Sequence, residues 1–255
     1  MAEAFVGTCG WAYGWNPDGL PWYARESGLN AVELNYSFYR FPTRERAEAW
    51  AREGSGLRWS IKVSRAVTHR RRMKREALPL WERFRGAVSP LDGLTDFYLF
   101  QLPPNFRRTE ENEGRVEEFA RACGLGPRMA VEFRHPSWFS PGVEEWASGL
   151  GVTLVSVDCP DLPRTVFNTS GSVYLRMHGR SSWYSHRYSE GELREALEKA
   201  LEASPGRIYV FFNNTYMLED ARRAVGILSE LGVRLAPRPS GGGRGSGRQP
   251  PARAV

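Results

Sequence analysis

The sequence has 255 residues, of which 41% are hydrophobic and 25% charged, so it predicts an ordered globular protein rather than a chain disordered throughout. No stretch approaches the roughly 20 apolar residues that cross a bilayer, and the first residues do not resemble a secretion signal. We therefore expect a cytoplasmic protein with no membrane partner. The net charge of +6 favours phosphate-bearing partners without naming one.

Eight short β-rich segments alternate with amphipathic helical segments along the chain, which is the pattern of successive β/α units. The predicted strands cover residues 4–9, 31–36, 58–63, 96–102, 129–134, 152–158, 172–178 and 207–213. Eight parallel strands can close a barrel, and a barrel of this kind needs roughly 250 residues. The sequence therefore predicts an α/β fold, a single-domain (β/α)8 TIM-type barrel over residues 4–235.

Three helices are predicted with particular clarity, over residues 43–53, 113–124 and 189–204. Ser189 and Glu192 have the spacing of a capping box, and Gly124 and Gly206 stand where helices are expected to end. After Leu235 the sequence becomes rich in Gly, Pro, Ser and Arg, so we predict a disordered basic tail over residues 236–255. The tail is either a solvated extension or an electrostatic contact for nucleic acid.

The ends of the predicted strands carry polar side chains, and the active site of a TIM-type barrel lies at the C-terminal ends of its strands. Side chains alternate between the inside and the outside of a barrel. Counting every second residue predicts an inward-facing set: Glu33, Asn35, Ser60, Lys62, Gln101, Glu132, Arg134, Ser156, Asp158, Arg176, His178 and Asn213. The apolar residues between them, such as Val155 and Val157, are expected to pack outward. The inward charges form either an internal ion-pair network or a binding site, and we favour the binding site.

Aromatic and basic residues surround the same predicted face. Trp11 and Tyr13 follow the first strand, where their rings could stack on a sugar or a base. Segment 64–75 follows the third strand and carries six basic residues besides His69. Such a run is either a solvated face or a contact for a phosphate backbone. We expect His69 and His135 to have structural roles.

The ordered motifs of this chain resemble those of the YecE-like family, also called domain of unknown function 72, over residues 5–235. They are GTCGWAY (7–13), VELNYSFYRFP (32–42), IKVSRAVTH (61–69), FQLPPNF (100–106), VEFRHPSW (131–138), VSVDCP (155–160), YLRMHG (174–179) and YVFFNN (209–214). The resemblance implies a TIM-type barrel and no established reaction. Cys9 stands where the family usually has Ser, and Tyr36 where it usually has a small residue.

Three functions stay open from the sequence. The first is an enzyme acting on a phosphodiester or phosphosugar, in which Lys62, Arg134 and Arg176 hold the anionic group. The second is a metal-free enzyme on a small anionic metabolite, with a glutamate and either Lys62 or His178 as its acid-base pair. The third is a noncatalytic protein that binds nucleic acid through its basic loop and tail.

The candidate catalytic residues are Glu33, Lys62, Glu132, Asp158 and His178, and the candidate substrate contacts are Trp11, Tyr13, Asn35, Gln101, Arg134, Arg176 and Asn213. His178 is the natural proton shuttle of such a set. Glu33, Glu132, Asp158 and His178 could also ligate a divalent metal. Because three cations share the same predicted volume, the cofactor stays unknown.

Overall fold

The computed structural model describes residues 2–239 and shows eight parallel strands that close into a barrel in chain order. The strands are β1 (Glu3–Cys9), β2 (Ala31–Leu34), β3 (Arg58–Lys62), β4 (Thr95–Gln101), β5 (Met129–Glu132), β6 (Thr153–Asp158), β7 (Ser172–Met177) and β8 (Arg207–Phe212). Every predicted strand is present, with its ends within two residues of the prediction. The predicted TIM-type barrel is confirmed.

Helices connect successive strands on the outside of the barrel. They are α1 (Gly19–Glu26), α2 (Tyr36–Tyr39), α3 (Arg44–Glu53), α4 (Leu78–Val88), α5 (Glu110–Cys123), α6 (Val143–Leu150), α7 (Glu190–Glu202) and α8 (Met217–Glu230). A π-helical turn, Ala66–Arg70, follows β3. Segment 159–171, between β6 and β7, contains no helix.

The helix ends agree with the sequence at two of three positions. Ser189 and Glu192 form the predicted capping box at the start of α7, and Gly124 ends α5 with a left-handed φ of 59°. The prediction for Gly206 was wrong. Helix α7 already ends at Glu202, and Ser204 adopts the left-handed conformation with φ of 51°.

Apolar side chains fill the lower part of the barrel interior. They include Phe5, Phe97, Leu99, Val155, Val157, Tyr174, Tyr209 and Phe211. Phe5 stacks on Tyr209 with their ring centroids 4.5 Å apart. A second and larger apolar cluster lies between the strands and the helices. Charged residues lie at both ends of this apolar layer. Arg58 pairs with Asp96 at the N-terminal ends of β3 and β4, where Asp96 also accepts from the hydroxyl of Tyr209, and the candidate site residues lie at the C-terminal ends.

Strand β6 has the opposite register from the one predicted. Val155 and Val157 face the barrel interior, whereas Ser156 and Asp158 face outward. The outer side of β6 contacts segment 159–171 as well as α6, and this segment offers backbone donors to the polar residues of the strand. Ser156 Oγ accepts a hydrogen bond from the backbone N–H of Phe167 at 2.9 Å. The polar residues therefore find partners outside the barrel, and Asp158 does not join the other candidate residues.

The chain keeps contact with the barrel beyond Leu235. The backbone N–H of Ala236 donates to the carbonyl of Ala4 at 2.8 Å, and Asn30 donates to the carbonyl of Ala236 at 3.0 Å. Arg238 donates to the carbonyl of Leu29. Ala236 and Arg238, which the sequence assigned to the tail, thus contact the barrel, and residues 240–255 of that prediction lie outside the described residues. No helix between residues 2 and 239 is long and apolar enough to cross a membrane.

Gly7 leaves no room for a side chain, because a Cβ there would lie 2.3 Å from the carbonyl oxygen of Ala31. We expect Gly7→Ala to destabilise the protein by about 3 kcal/mol, since the paired strands would have to separate. Gly114→Ala is the control, because a Cβ at this α5 position meets nothing within 4 Å and should stabilise by up to about 1 kcal/mol. Urea unfolding measures both, and equal effects would contradict the prediction.

Candidate active site at the barrel mouth

The guanidinium of Arg176 is fully buried at the end of β7 and connects the charged residues of the barrel mouth. Its Nε and Nη2 donate to the carboxylate of Glu33 at 2.9 and 2.5 Å, and its Nη1 donates to Glu132 at 2.5 Å. Nη2 also contacts Cys9 Sγ at 3.4 Å, and Nη1 contacts His178 Nε2 at 3.2 Å. All five N–H groups of Arg176 have partners. This geometry assigns Arg176 to the protein network rather than to the predicted role of holding a ligand.

The carboxylates of Glu33 and Glu132 are both fully buried and both occupied. The hydroxyl of Tyr174 donates to Glu33 Oε2 at 2.8 Å, in addition to the contacts from Arg176. Arg134 Nε donates to Glu132 Oε1. Burial alone would raise the pKa of Glu132, but Arg134, Arg176 and Lys62 together hold that pKa below its usual value. Neither carboxylate is free to act as a base without losing an arginine partner.

His178 is buried beneath the two arginines. Arg134 Nη2 lies 2.9 Å from His178 Nε2. Burial, together with Arg134, Arg176 and Lys62, lowers the pKa of His178 well below its ordinary value, so the ring is neutral at neutral pH. Since arginine only donates, Nε2 must accept and Nδ1 carries the proton. The side-chain amide of Asn213 lies 3.2 Å from Nδ1 and can accept that proton only through its oxygen. With Nε2 held by two arginines, His178 is poorly placed for the predicted proton shuttle.

Lys62 is the cation of the mouth that lacks a carboxylate partner. Its side chain is only 7% exposed, and its Nζ lies 4.3 Å from the centre of the Phe38 ring. Within residues 2–239 no carboxylate oxygen lies within 4.0 Å of Nζ. Burial, and next the charge of Arg176, lower the pKa of Lys62 to about 8. Both protonation states of this amine are therefore populated near neutral pH.

His69 lies close to the same site, and its Nδ1 shares a hydrogen bond of 2.9 Å with the hydroxyl of Thr68, in line with the structural role expected from the sequence. Burial, and next the charges of Lys62 and Arg134, lower the pKa of His69 to about 4. Its ring packs edge-on against Phe38 at 5.1 Å. His69 lies in the π-helical turn after β3 and not on a strand, so the strand alternation missed it. The sequence signal that could have identified His69 is its position in the loop that follows Lys62, seven residues further along the chain.

An aromatic cavity of about 410 Å³ opens between the loops that follow β1 and β2. Its lining includes Cys9, Trp11, Tyr13, Asn35, Tyr39 and Trp50. The structure thus brings together three predicted substrate contacts, Trp11, Tyr13 and Asn35. Among the described residues, the Oδ1 atom of Asn35 is buried without a hydrogen-bond partner. A neighbouring cavity of about 480 Å³ is lined by Tyr13, Tyr184 and Asn213.

The predicted metal-ligand set is not assembled. Asp158 accepts hydrogen bonds from Arg180 and Tyr188 outside the barrel, while Glu33 and Glu132 are held by Arg176. Between residues 2 and 239, no group of three His, Cys, Asp or Glu residues is arranged to hold a metal ion. These residues therefore do not fit a divalent cation.

Gln101, a predicted substrate contact, stands apart from the charged network. Its Nε2 atom donates to the backbone carbonyl of Leu102 at 3.1 Å. No hydrogen bond joins its side chain to the charged residues within the described part of the chain.

The closed parallel barrel and its polar C-terminal mouth define the chain as a TIM-barrel protein. It belongs to the family described as "Protein of unknown function DUF72", whose model matches residues 5–241. This confirms the family indicated by the ordered sequence motifs.

Individual relatives support this assignment. The chain is 25% identical to the UPF0759 protein YunF of Bacillus subtilis (strain 168), and the match covers 84% of this chain and 89% of the relative. A solved DUF72 family protein (TM1631) from Thermotoga maritima MSB8 is 28% identical, with a TM-score of 0.76 over 90% of this chain and 99% of that one. Another (EF0366), from Enterococcus faecalis V583, is 21% identical, with a TM-score of 0.79 over 89% and 96%. None of these names states an activity.

Replacing Arg176 with lysine should destabilise the fold, because lysine has three donors on one atom and cannot bridge Glu33 and Glu132. We expect a loss of about 3–5 kcal/mol in the free energy of unfolding, the usual cost of breaking a buried ion pair. Arg44→Lys is the control, since Arg44 pairs with Glu48 at the surface. Urea unfolding at pH 7.5 measures both, and an unchanged Arg176→Lys variant would contradict the role given to this network.

Replacing Lys62 with methionine should stabilise the protein by about 3 kcal/mol at pH 7, because it removes a desolvated charge whose pKa is lowered to about 8 from 10.5. Between pH 8 and 10.5 the unfolded chain binds more protons than the folded one, so the wild type gains stability as pH rises. The advantage of Lys62→Met should therefore vanish above pH 10.

Urea unfolding at pH 7 and pH 10, in buffers without phosphate or carboxylate, measures this pH dependence. The exposed Lys199→Met variant serves as the control and should show little change between the two pH values. A constant difference between wild type and Lys62→Met would contradict the lowered pKa.

Proposed function

We propose that this protein is an enzyme whose barrel mouth binds the phosphate or carboxylate group of a small organic substrate, with Lys62 as its proton-transfer group. The observation that carries the proposal is the distribution of free donors. Three cations, Lys62, Arg134 and Arg176, face two carboxylates, Glu33 and Glu132, and leave an excess positive charge. A bound anion would balance that charge.

Arg134 and Lys62 are the cations with donors to spare. Arg134 uses Nε for Glu132 and Nη2 for His178, and its Nη1 has no hydrogen-bond partner among residues 2–239. Its guanidinium lies over the ring of Trp183, with Cζ 4.5 Å from the ring centre, which holds the group in place. The guanidinium of Arg134 and the ammonium group of Lys62 together suit an oxyanion, because charged donors make strong hydrogen bonds to anionic oxygens.

The aromatic cavity provides a place for the organic part of such a substrate. Its volume of about 410 Å³ falls in the range of small-molecule sites, and Trp11, Tyr13 and Trp50 offer ring faces. Cys9 joins the two regions, since it lines the cavity and its thiol contacts Arg176. An anionic group near Arg134 and an aromatic-lined cavity close by favour a metabolite with both features.

Lys62 fits proton transfer better than the other candidate residues. Efficient general acid-base groups have a pKa near the working pH, and the pKa of Lys62 is lowered to about 8. Glu33 and Glu132 are held by arginines, and Nε2 of His178 faces Arg134 and Arg176. These contacts favour the hypothesis of a metal-free enzyme that acts on an anionic metabolite, such as a phosphosugar. They argue against a metal-dependent phosphodiesterase.

Ligand-induced thermal stabilisation tests the anion site. Ribose 5-phosphate at about 100 times its Kd should raise the Tm of the wild type by roughly 5 °C or more, whereas ribose should not. Lys62→Met and Arg134→Met should lose this shift, because they remove the free donors. Arg44→Met, at a surface pair, should retain it. Equal shifts in wild type and Lys62→Met, or no response of the wild type to phosphorylated or carboxylated compounds, would contradict the proposal.

The proposed proton transfer is tested in D2O with the same proteins. Dihydroxyacetone phosphate, ribose 5-phosphate and pyruvate are incubated with enzyme, and deuterium incorporation next to the carbonyl is followed by NMR. Exchange above the enzyme-free rate that disappears in Lys62→Met supports the role of this amine. Binding without exchange of any bound compound would contradict the catalytic part of the proposal.

A further inference from the structure

An exposed basic cleft of about 510 Å³ lies outside the barrel mouth, between the loop after the π-helical turn and helix α5. It is lined by Arg70, Arg71, Arg72, Lys74, Glu76 and Arg115. Five cations thus surround a single carboxylate. Like charges gathered at this density destabilise a surface unless an external anion accompanies them.

Most of these cations have little internal compensation. Arg115 contacts Glu111, and Arg72 donates to the side-chain oxygen of Asn105 at 3.0 Å. Arg70, Arg71 and Lys74 are exposed and have no carboxylate partner within the described residues. Their charges are therefore available to a ligand.

The loop that carries these residues has a fixed shape. Met73 is 1% exposed and anchors the loop in the core. Arg72 and Met73 both adopt a left-handed backbone, with φ of 48° and 54°, which is unfavourable for residues with side chains. The N–H of Met73 donates to the carbonyl of Val67 at 3.1 Å and closes the turn. Backbone strain of this kind is kept where the surrounding structure enforces it, and it holds the cations in place.

We infer that this basic cleft binds the phosphate backbone of a double-stranded nucleic acid. Arginine guanidinium groups match phosphate oxygens with paired donors, and neutralised phosphates release counterions. The lining contains neither an aromatic nor an aliphatic side chain. It therefore offers no ring for unpaired bases to stack on and nothing to insert into a membrane, which favours a duplex over a single strand or a lipid surface.

This inference goes beyond the proposed enzyme and does not depend on it. The cleft and the aromatic cavity share no lining residue. The cleft nevertheless lies close to the barrel mouth, because His69, which packs against the same Phe38 ring as Lys62, directly precedes Arg70 in the chain. A duplex in the cleft would lie beside the barrel mouth.

Fluorescence anisotropy of the full chain with a labelled 20-base-pair DNA duplex tests the inference. The triple variant Arg70→Ala, Arg71→Ala, Lys74→Ala removes three exposed cations of the cleft. A matched triple variant, Arg25→Ala, Arg52→Ala, Arg234→Ala, removes the same charge at exposed positions that do not line the cleft. Both variants keep residues 240–255, so any contribution of that basic segment is the same in both.

We expect the cleft variant to bind at least tenfold more weakly than the wild type in 50 mM salt, and the matched variant to change less than threefold. The slope of log K against log salt should fall by about three in the cleft variant, at roughly 0.9 per phosphate contact. A matching RNA duplex and a single-stranded DNA of the same length complete the panel. An RNA duplex bound as well as the DNA duplex would also support a backbone contact.

Three outcomes would overturn the inference. The first is equal weakening in the two triple variants, which would show a general field effect. The second is no duplex binding by the wild type at 50 mM salt. The third is binding through the cleft to vesicles of 30% phosphatidylserine in phosphatidylcholine without binding to the duplexes, which would identify a membrane surface. Circular dichroism and Tm check that both variants fold.

Discussion

The buried guanidinium of Arg176 is the interaction on which the mouth of this barrel depends. A charge removed from water is costly unless every donor and every countercharge is satisfied. Here two glutamates, a histidine and a thiol together take all five N–H groups. Because Glu33, Glu132 and Arg176 come from β2, β5 and β7, one side chain ties distant parts of the barrel rim together and fixes the positions of the residues around it.

This arrangement divides the charged residues into two groups. Arg176 and the two carboxylates that it bonds are closed to solvent, and Arg134 supplies the second positive charge. Arg134 is bonded to Glu132, whereas Lys62 packs over the ring of Phe38, so both keep donors that the network does not use. Lys62 in particular is desolvated and close to other cations, which lowers its pKa. The network thereby leaves a positive charge that favours a bound anion, and it lowers the pKa of Lys62 into the range that suits proton transfer.

The surfaces proposed for binding come largely from loops that follow the first three strands. The loops after β1 and β2 form the aromatic cavity, and the loop after β3 places His69 at the mouth and the arginines on the outside. Function in barrel proteins resides in such loops while the strands provide a rigid support. The π-helical turn contributes to both surfaces, since His69 packs against Phe38 at the mouth and Arg70 lines the basic cleft.

The sequence by itself determined the number of strands, the family and most of the inward-facing residues, because alternation along a strand is a local property. It placed Glu33, Lys62, Glu132 and Arg176 in one mouth correctly. It failed on β6, where both faces are buried and only the partners in segments 159–171 and 178–189 decide which face is polar. The sequence also could not show that the N–H donors of Arg176 are taken up within the protein, mainly by two carboxylates, whereas Arg134 keeps a free donor. That distinction depends on which side chains meet across the closed barrel, and only the tertiary structure decides it.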